Sequence, residues 1–196
     1  MGSSSSTEAG FDFYLGIDPS ITNTGVVLLD AEGKFLSAVD GKTFVGKAKG
    51  FDRFQRQVGG ILTFIQNSTH QGTVCCGYEG YSFGSLHRAY DLAEYGGILK
   101  NALRAVAHPV YIIPPTTNKA FATGNGAAGK AAVREAALAE GMADGLSGDI
   151  CDAYFLALFA AFASGCRNCR DKSLLRKRIA LSRGYIEVLC RQREEG

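Results

Sequence analysis

Four carboxylates stand out from the 196-residue sequence because of what surrounds them. Asp18 closes the apolar run Tyr14-Leu15-Gly16-Ile17, and Glu79 directly follows the run from Gly72 to Tyr78. An acid at the end of a buried strand is costly to leave unpaired, so each needs a partner such as a metal or a base. Asp149 and Asp152 lie three residues apart at the head of an apolar helix, a spacing that places both on one face. Taken alone, Asp149 fits an N-cap and Asp152 a first-turn acid that suits the helix dipole. That reading leaves Asp18 and Glu79 unexplained. Carboxylates brought to one place repel unless cations neutralise them. Hard oxygen donors select Mg²⁺ or Mn²⁺ over zinc. A pair of such ions about 4 Å apart can activate a water and stabilise the leaving oxygen of a phosphodiester.

The elements that must carry these residues follow from pattern. Strands are expected over residues 11–18 and 25–30, separated by Pro19 and a polar turn containing Asn23 and Gly25. Proline cannot donate to a sheet ladder, so the first strand should stop or bulge there. Ala31-Glu32-Gly33-Lys34 reads as a hairpin turn and residues 35–39 as a third strand. A helix over 51–66 follows from Phe51, Phe54, Val58, Ile61, Leu62 and Ile65 at three- and four-residue steps, weakened by Gly59-Gly60. Next come a short strand over 72–78, a flexible aromatic loop over 80–85, and a long helix over 86–107. A strand over 110–113 is closed by Pro114-Pro115. Residues 116–130 read as a glycine-rich polar segment carrying two lysines, and helices are expected over 131–142 and 149–163. The order β-β-β-α-β-α-β-α-α is that of a ribonuclease H-like α/β sheet: three antiparallel strands, then two parallel ones, flanked by helices.

At this point the motifs carry a resemblance. The sequence resembles the RuvC family of Holliday-junction resolvases, within the ribonuclease H-like superfamily. Gly16-Ile17-Asp18-Pro19-Ser20 with Thr24-Gly25 is similar to the family's first-strand motif, and Tyr78-Glu79-Gly80 to its second acidic motif. Pro114-Pro115 through Asn118-Lys119, then Ala122-Thr123-Gly124-Asn125-Gly126 and Lys130, resemble its lysine-containing glycine loop. Asp149-Ile150-Cys151-Asp152-Ala153 resembles its C-terminal acidic helix. The resemblance spans residues 13–163 in the family's order. It implies Asp18, Glu79, Asp149 and Asp152 as ligands of two Mg²⁺ ions, with Mn²⁺ able to substitute. It implies Lys119 and Lys130 as catalytic cations at the scissile or neighbouring phosphates, with Asn125 among the DNA contacts. The implied activity is resolution of four-way DNA junctions by paired symmetric nicks, performed by a homodimer for which the helix over 86–107 is the natural interface. Tyr81 and Phe83, just past Glu79, either wedge into the junction and stack on an unpaired base or pack in the core.

Composition bounds the rest. The length favours one domain, over residues 11–165, with a low-complexity polar tail over 1–10 that should be disordered. No apolar run approaches the roughly 18 residues a membrane span needs. Cys75, Cys76 and Cys151 lie in apolar runs, as small buried thiols do in a reducing compartment. The expected setting is therefore the cytoplasm of a bacterial or phage-infected cell, with an organelle or viral setting left open. Cys166 and Cys169 form a single CxxC pair that lacks a second pair to complete a zinc site. The formal net charge of +2 hides an asymmetry: residues 167–196 carry nine basic and four acidic side chains, a local +5, which leaves the first 166 at −3. Residues 166–196 are expected to form a basic helical extension. Its Arg176, Lys177 and Arg178 either extend a footprint on a polyanion or coat a solvated helix face.

Three other functions compete. One is a broader branched-DNA nuclease that also cuts forks and flaps. Another is a non-catalytic junction-binding protein. The third is an actin-like phosphotransferase, whose phosphate loop shares the Gly-Ile-Asp start but needs two such domains.

Overall fold

The computed structural model describes residues 10–80 and 89–166, together with the backbone of 187–189. Strands β1 (Phe13–Asp18), β2 (Gly25–Asp30) and β3 (Phe35–Asp40) form an antiparallel meander. A 3-10 turn (Gly41–Phe44) leads to helix α1 (Gly50–Thr69), followed by β4 (Val74–Glu79), α2 (Ala89–Leu103) and β5 (Val110–Ile113). Helices α3 (Pro115–Thr123), α4 (Lys130–Ala139) and α5 (Gly148–Ala163) complete the body. β4 runs parallel to both β1 and β5. The expected mixed five-stranded sheet is therefore present. A short sixth strand, β6 (Glu187–Leu189), adds antiparallel to the edge of β5, giving the order β3-β2-β1-β4-β5-β6. β6 lies within the stretch expected to be a helical extension; the remainder of that stretch, 167–186 and 190–196, falls outside the described residues.

Strand alternation divides the core in two. Leu15 and Ile17 of β1 point to one face, where they pack with Val26, Leu28, Tyr78 and the inner stripes of α1 and α2. Tyr14 points to the other face, with Val27, Leu29, Cys75 and the aromatic side chains of α5. By the same period of two, Gly16 and Asp18 on β1, and Gly77 and Glu79 on β4, share the α5 face.

Helix α5 is buried along most of its length. Phe155, Leu156 and Phe159 are fully covered, each burial stabilising the fold by about 2 kcal/mol. It lies directly on the sheet because the sheet has no side chains beneath it at three points. A Cβ at Gly16 would run into the backbone of Ala153 and Ala157, one at Gly25 into Asp149, and one at Gly77 into Leu156. Gly16 and Gly77 are partners in the β1–β4 register, and Gly25 pairs with Asp18 in the β1–β2 register.

Four expectations need correction. Helix α1 runs on to Thr69 rather than ending at residue 66, and α4 ends at Ala139 rather than Met142. Residues 116–130 are not one loop: Pro115–Thr123 is helix α3, and the loop is confined to residues 124–129. Pro115 takes the first-turn position where its missing N–H costs nothing, and Gly124 ends the helix at φ 81°. Helix α2 ends at Leu103 rather than Ala107, tightening into turns over 104–106 before Pro109.

Candidate active site

The four acids arrive at one end of the sheet by three routes. Asp18 and Glu79 are the last residues of the adjacent parallel strands β1 and β4, on the α5 face. Asp149 and Asp152 occupy the first turn and a half of α5, which the glycine bed holds against β1 and β2. Asp18 and Asp152 are buried, and Glu79 and Asp149 partly so. The N-cap of α5 is Ser147, whose Oγ accepts from the Ile150 N–H at 3.3 Å. Capping is thus done by another residue, and Asp149 is left to face the other acids.

Electrostatics shows that the four sense one another. Burial raises Asp18 well above the ordinary carboxylate range, reinforced by the charge of Glu79, a shared hydrogen bond with it, and the charges of Asp152 and Asp149. Glu79 is raised by burial as well, offset by the hydrogen bond from Asp18 and by the charges of Lys119 and Lys130. Burial and mutual repulsion thus disfavour full ionisation of this pair, and both carboxyls are shifted upward. Asp152 is pushed up to about 6 by burial and by the charge of Glu79. Burial works against the Lys130 ammonium, yet Asp149, Asp152 and Asp18 together outweigh it and raise its pKa. Lys130 opens α4 and sends its Nζ to 3.4 Å from Asp149 Oδ1, with most of the side chain exposed. Lys119, on α3, bears on Glu79 and Asp152.

Sequence reading missed the residues that hold this arrangement. Asn23 Nδ2 donates to Asp149 Oδ2 at 3.0 Å and to Asp40 Oδ1 at 2.9 Å. Ser147 Oγ donates to the same Asp40 oxygen at 2.8 Å. Asn118, 1% exposed, donates from Nδ2 to the backbone carbonyl of Asp152 at 3.1 Å and so fastens α3 to α5. A serine three residues ahead of the first apolar helix position is a legible cap signal, but Asn23 reads only as turn chemistry and Asp40 carries no signal at all. The turn itself is held from behind. Thr24 Oγ1 lies 2.6 Å from Tyr95 OH of α2 and accepts from Gln57 Nε2 of α1 at 2.7 Å.

Asn125 stands exposed in the 124–129 loop, with its Oδ1 occupied by the Ala127 N–H at 3.0 Å. Tyr81, Phe83, Arg176, Lys177 and Arg178 lie outside the described residues. Cys75, Cys76 and Cys151 are buried thiols as expected; Cys166 is buried too and donates to the Ala31 carbonyl at 3.5 Å, while Cys169 lies outside the described residues.

Among the described residues, no three acid, imidazole or thiol side chains are already closed around one point that would hold an ion. The donor set nonetheless fits a hard divalent cation. Asp18, Glu79, Asp149 and Asp152 supply only carboxylate oxygens, and the upward shifts of Asp18, Glu79 and Asp152 come from burial and mutual repulsion, which a cation among them would relieve.

No protein-family profile and no curated protein sequence matches the chain. Solved structures do. Thermus thermophilus RuvC superposes at a TM-score of 0.57 with 24% identity, covering 79% of this chain and 95% of that one. T. thermophilus RuvC in complex with a Holliday junction substrate superposes at 0.56 with 22% identity, covering 74% of this chain and 90% of that one. The fold is that of RuvC. The ribonuclease H-like architecture expected from the strand order is thus the one observed, and the RuvC fold accounts for nearly all of the described body.

Proposed function

We propose that this protein is a divalent-metal-dependent, structure-selective DNA endonuclease that resolves four-way junctions by paired symmetric nicks. The observation that carries this reading is the gathering of Asp18, Glu79, Asp149 and Asp152 at one end of a RuvC-fold sheet, with Lys119 and Lys130 acting on them. The four acids would hold two Mg²⁺ ions, or Mn²⁺ in their place. When bound, such ions supply an activated water and neutralise charge building on the phosphodiester.

The chain's own residues do the rest. Asn23 and the α5 glycine bed fix the direction of Asp149 and Asp152. Among the described residues Lys130 is held by one long contact, so its ammonium is free to swing toward a phosphate and stabilise the developing charge, with Lys119 also acting on the acids. Tyr81, Phe83, Asn125, Arg176, Lys177 and Arg178 are assigned to DNA binding. Symmetric paired nicks require two such sites, so the acting species is a homodimer.

A cleavage panel tests the proposal: four-way junctions, forks, flaps and duplex, with Mg²⁺ or Mn²⁺. Paired nicks confined to four-way junctions support it, and Glu79→Gln should abolish them while junction binding in Ca²⁺ persists. Equal cutting of forks and flaps replaces it with the broader branched-DNA nuclease. Binding with no nicking under any divalent ion leaves a junction-binding protein only.

A further inference from the structure

The most basic stretch of the described chain is not the one that the tail composition advertised. Residues 42–56 carry Lys42, Lys47, Lys49, Arg53 and Arg56 against the single acid Asp52, a local +4 inside a 166-residue body of −3, so that the rest of that body stands at −7. Lys42, Lys47, Lys49 and Arg56 are exposed. Among the described residues the ion pairs are Lys42–Asp40, Lys130–Asp149 and Arg134–Asp144, and none takes Lys47, Lys49 or Arg56. Phe51 stands among these cations with half its surface, 51%, in solvent. Like charges repel one another, and among the described residues no ion pair neutralises Lys47, Lys49 or Arg56.

The stretch is also joined to the candidate active site. Lys130 lies 3.4 Å from Asp149, Asp149 lies 3.0 Å from Asn23, Asn23 lies 2.9 Å from Asp40, and the other Asp40 oxygen lies 3.8 Å from Lys42 Nζ. The Lys42 N–H donates to Asn23 Oδ1 at 3.3 Å, and Arg53 Nη2 donates to the Thr22 carbonyl at 2.9 Å. The acids therefore sit between two cationic flanks, Lys119 and Lys130 on the α3–α4 side and the 42–56 stretch on the β3–α1 side.

We infer that residues 42–56 form a phosphate-backbone track, which takes a duplex arm of the DNA substrate as that arm leaves the active site. The inference rests on the endonuclease reading and extends it to a surface outside the acid cluster. Lys47, Lys49 and Arg56 bind phosphates of that arm. Arg53, tied to the turn after Asp18, sets the track's distance from the reacting strand. Charge complementarity selects a polyanion, and continuity with the acid and lysine site selects nucleic acid over an acidic protein.

Neutralising one phosphate-binding cation makes the dependence of log affinity on log salt shallower by about 0.9. The test is a salt titration of binding to a fixed four-way junction in Ca²⁺, by fluorescence anisotropy. The Lys47→Gln/Lys49→Gln/Arg56→Gln protein should bind more weakly, with a slope shallower by roughly 2 to 3. Its Tm should be unchanged, which separates lost binding from lost fold. Lys34→Gln, in the β2–β3 turn at the opposite end of the sheet, should leave the slope as it is. An unchanged slope in the triple variant overturns the inference and assigns the cations to a partner other than DNA. The same decrease per charge in Lys34→Gln overturns it too, since the effect is then one of net charge. Failure of the endonuclease reading is seen separately, as absence of metal-dependent cleavage by the wild-type protein, because the slope is read without cleavage.

Discussion

Asn23 gives two hydrogen bonds from one amide nitrogen, and both acceptors are acids. Remove it and Asp40 and Asp149 lose the donor between them. Outer partners of this kind are typically worth about ten- to a hundredfold in activity or metal affinity. Asn23→Ala should lower junction cleavage by about that factor and raise the Mg²⁺ concentration needed for half-maximal rate. Asn23→Asp, equal in shape but without the donor, should be worse, because it adds a third anion. A metal titration of cleavage distinguishes this from simple loss of fold. The acids themselves predict a pH effect on stability. An acid whose folded pKa is raised keeps a proton that the unfolded chain has already released, so ionising it in the folded state costs stability. For Asp152 the cost begins above the ordinary 3.8 and is complete above about 6; Asp18 and Glu79 act in the same direction. The Tm measured in EDTA should therefore fall as the pH rises from 3.8 through about 6, and fall further as Asp18 and Glu79 ionise. Mg²⁺ should restore it at the upper end and change it little at the lower. A Mg²⁺ shift of equal size at both ends would contradict the assignment of these acids as the ion's ligands.

Among the elements, α5 and its glycine bed decide the most. A methyl at position 16 meets helix backbone rather than a flexible side chain, so α5 must lift or β1 must bend. Overpacking of this kind costs typically about 1–3 kcal/mol. Gly16→Ala should show that loss in urea denaturation, and should lose more cleavage than stability, since Asp149 and Asp152 move with the helix. Here lies the boundary of what the sequence discloses. The bounds of β2 and β5 are legible because apolar runs meet turn residues at both ends, and the acids at the ends of β1 and β4 follow from their place in those runs. The glycine bed is not legible, because a close approach between a helix and a sheet joins residues far apart in the chain. Helix α3 is hidden by proline, threonine and glycine in one window, although Pro115 in its first turn and Gly124 after its last are helix boundary signals. Three residues in a charged tail give no pattern for β6; what makes them a strand is the open edge of β5.

At the scale of the whole molecule, charge and burial are arranged in opposition. The acids are drawn to one end of the sheet under cover, while Lys42, Lys47, Lys49 and Arg56 stay exposed beside them. The basic tail is visible from composition alone, but the 42–56 stretch is concealed by the near-neutral total of the body that contains it. One more consequence follows from α5 resting on bare strand backbone. Half of the acid set rides on the most deeply buried helix, and the other half ends the two strands beneath it, so the candidate catalytic centre and the folding core are the same object. Such a centre has no local melting of its own. On heating, cleavage activity and tertiary structure should disappear in a single transition at one temperature, followed by residual nicking and near-ultraviolet circular dichroism on the same samples. Activity fading several degrees before the structure would mean that the centre breathes independently of α5.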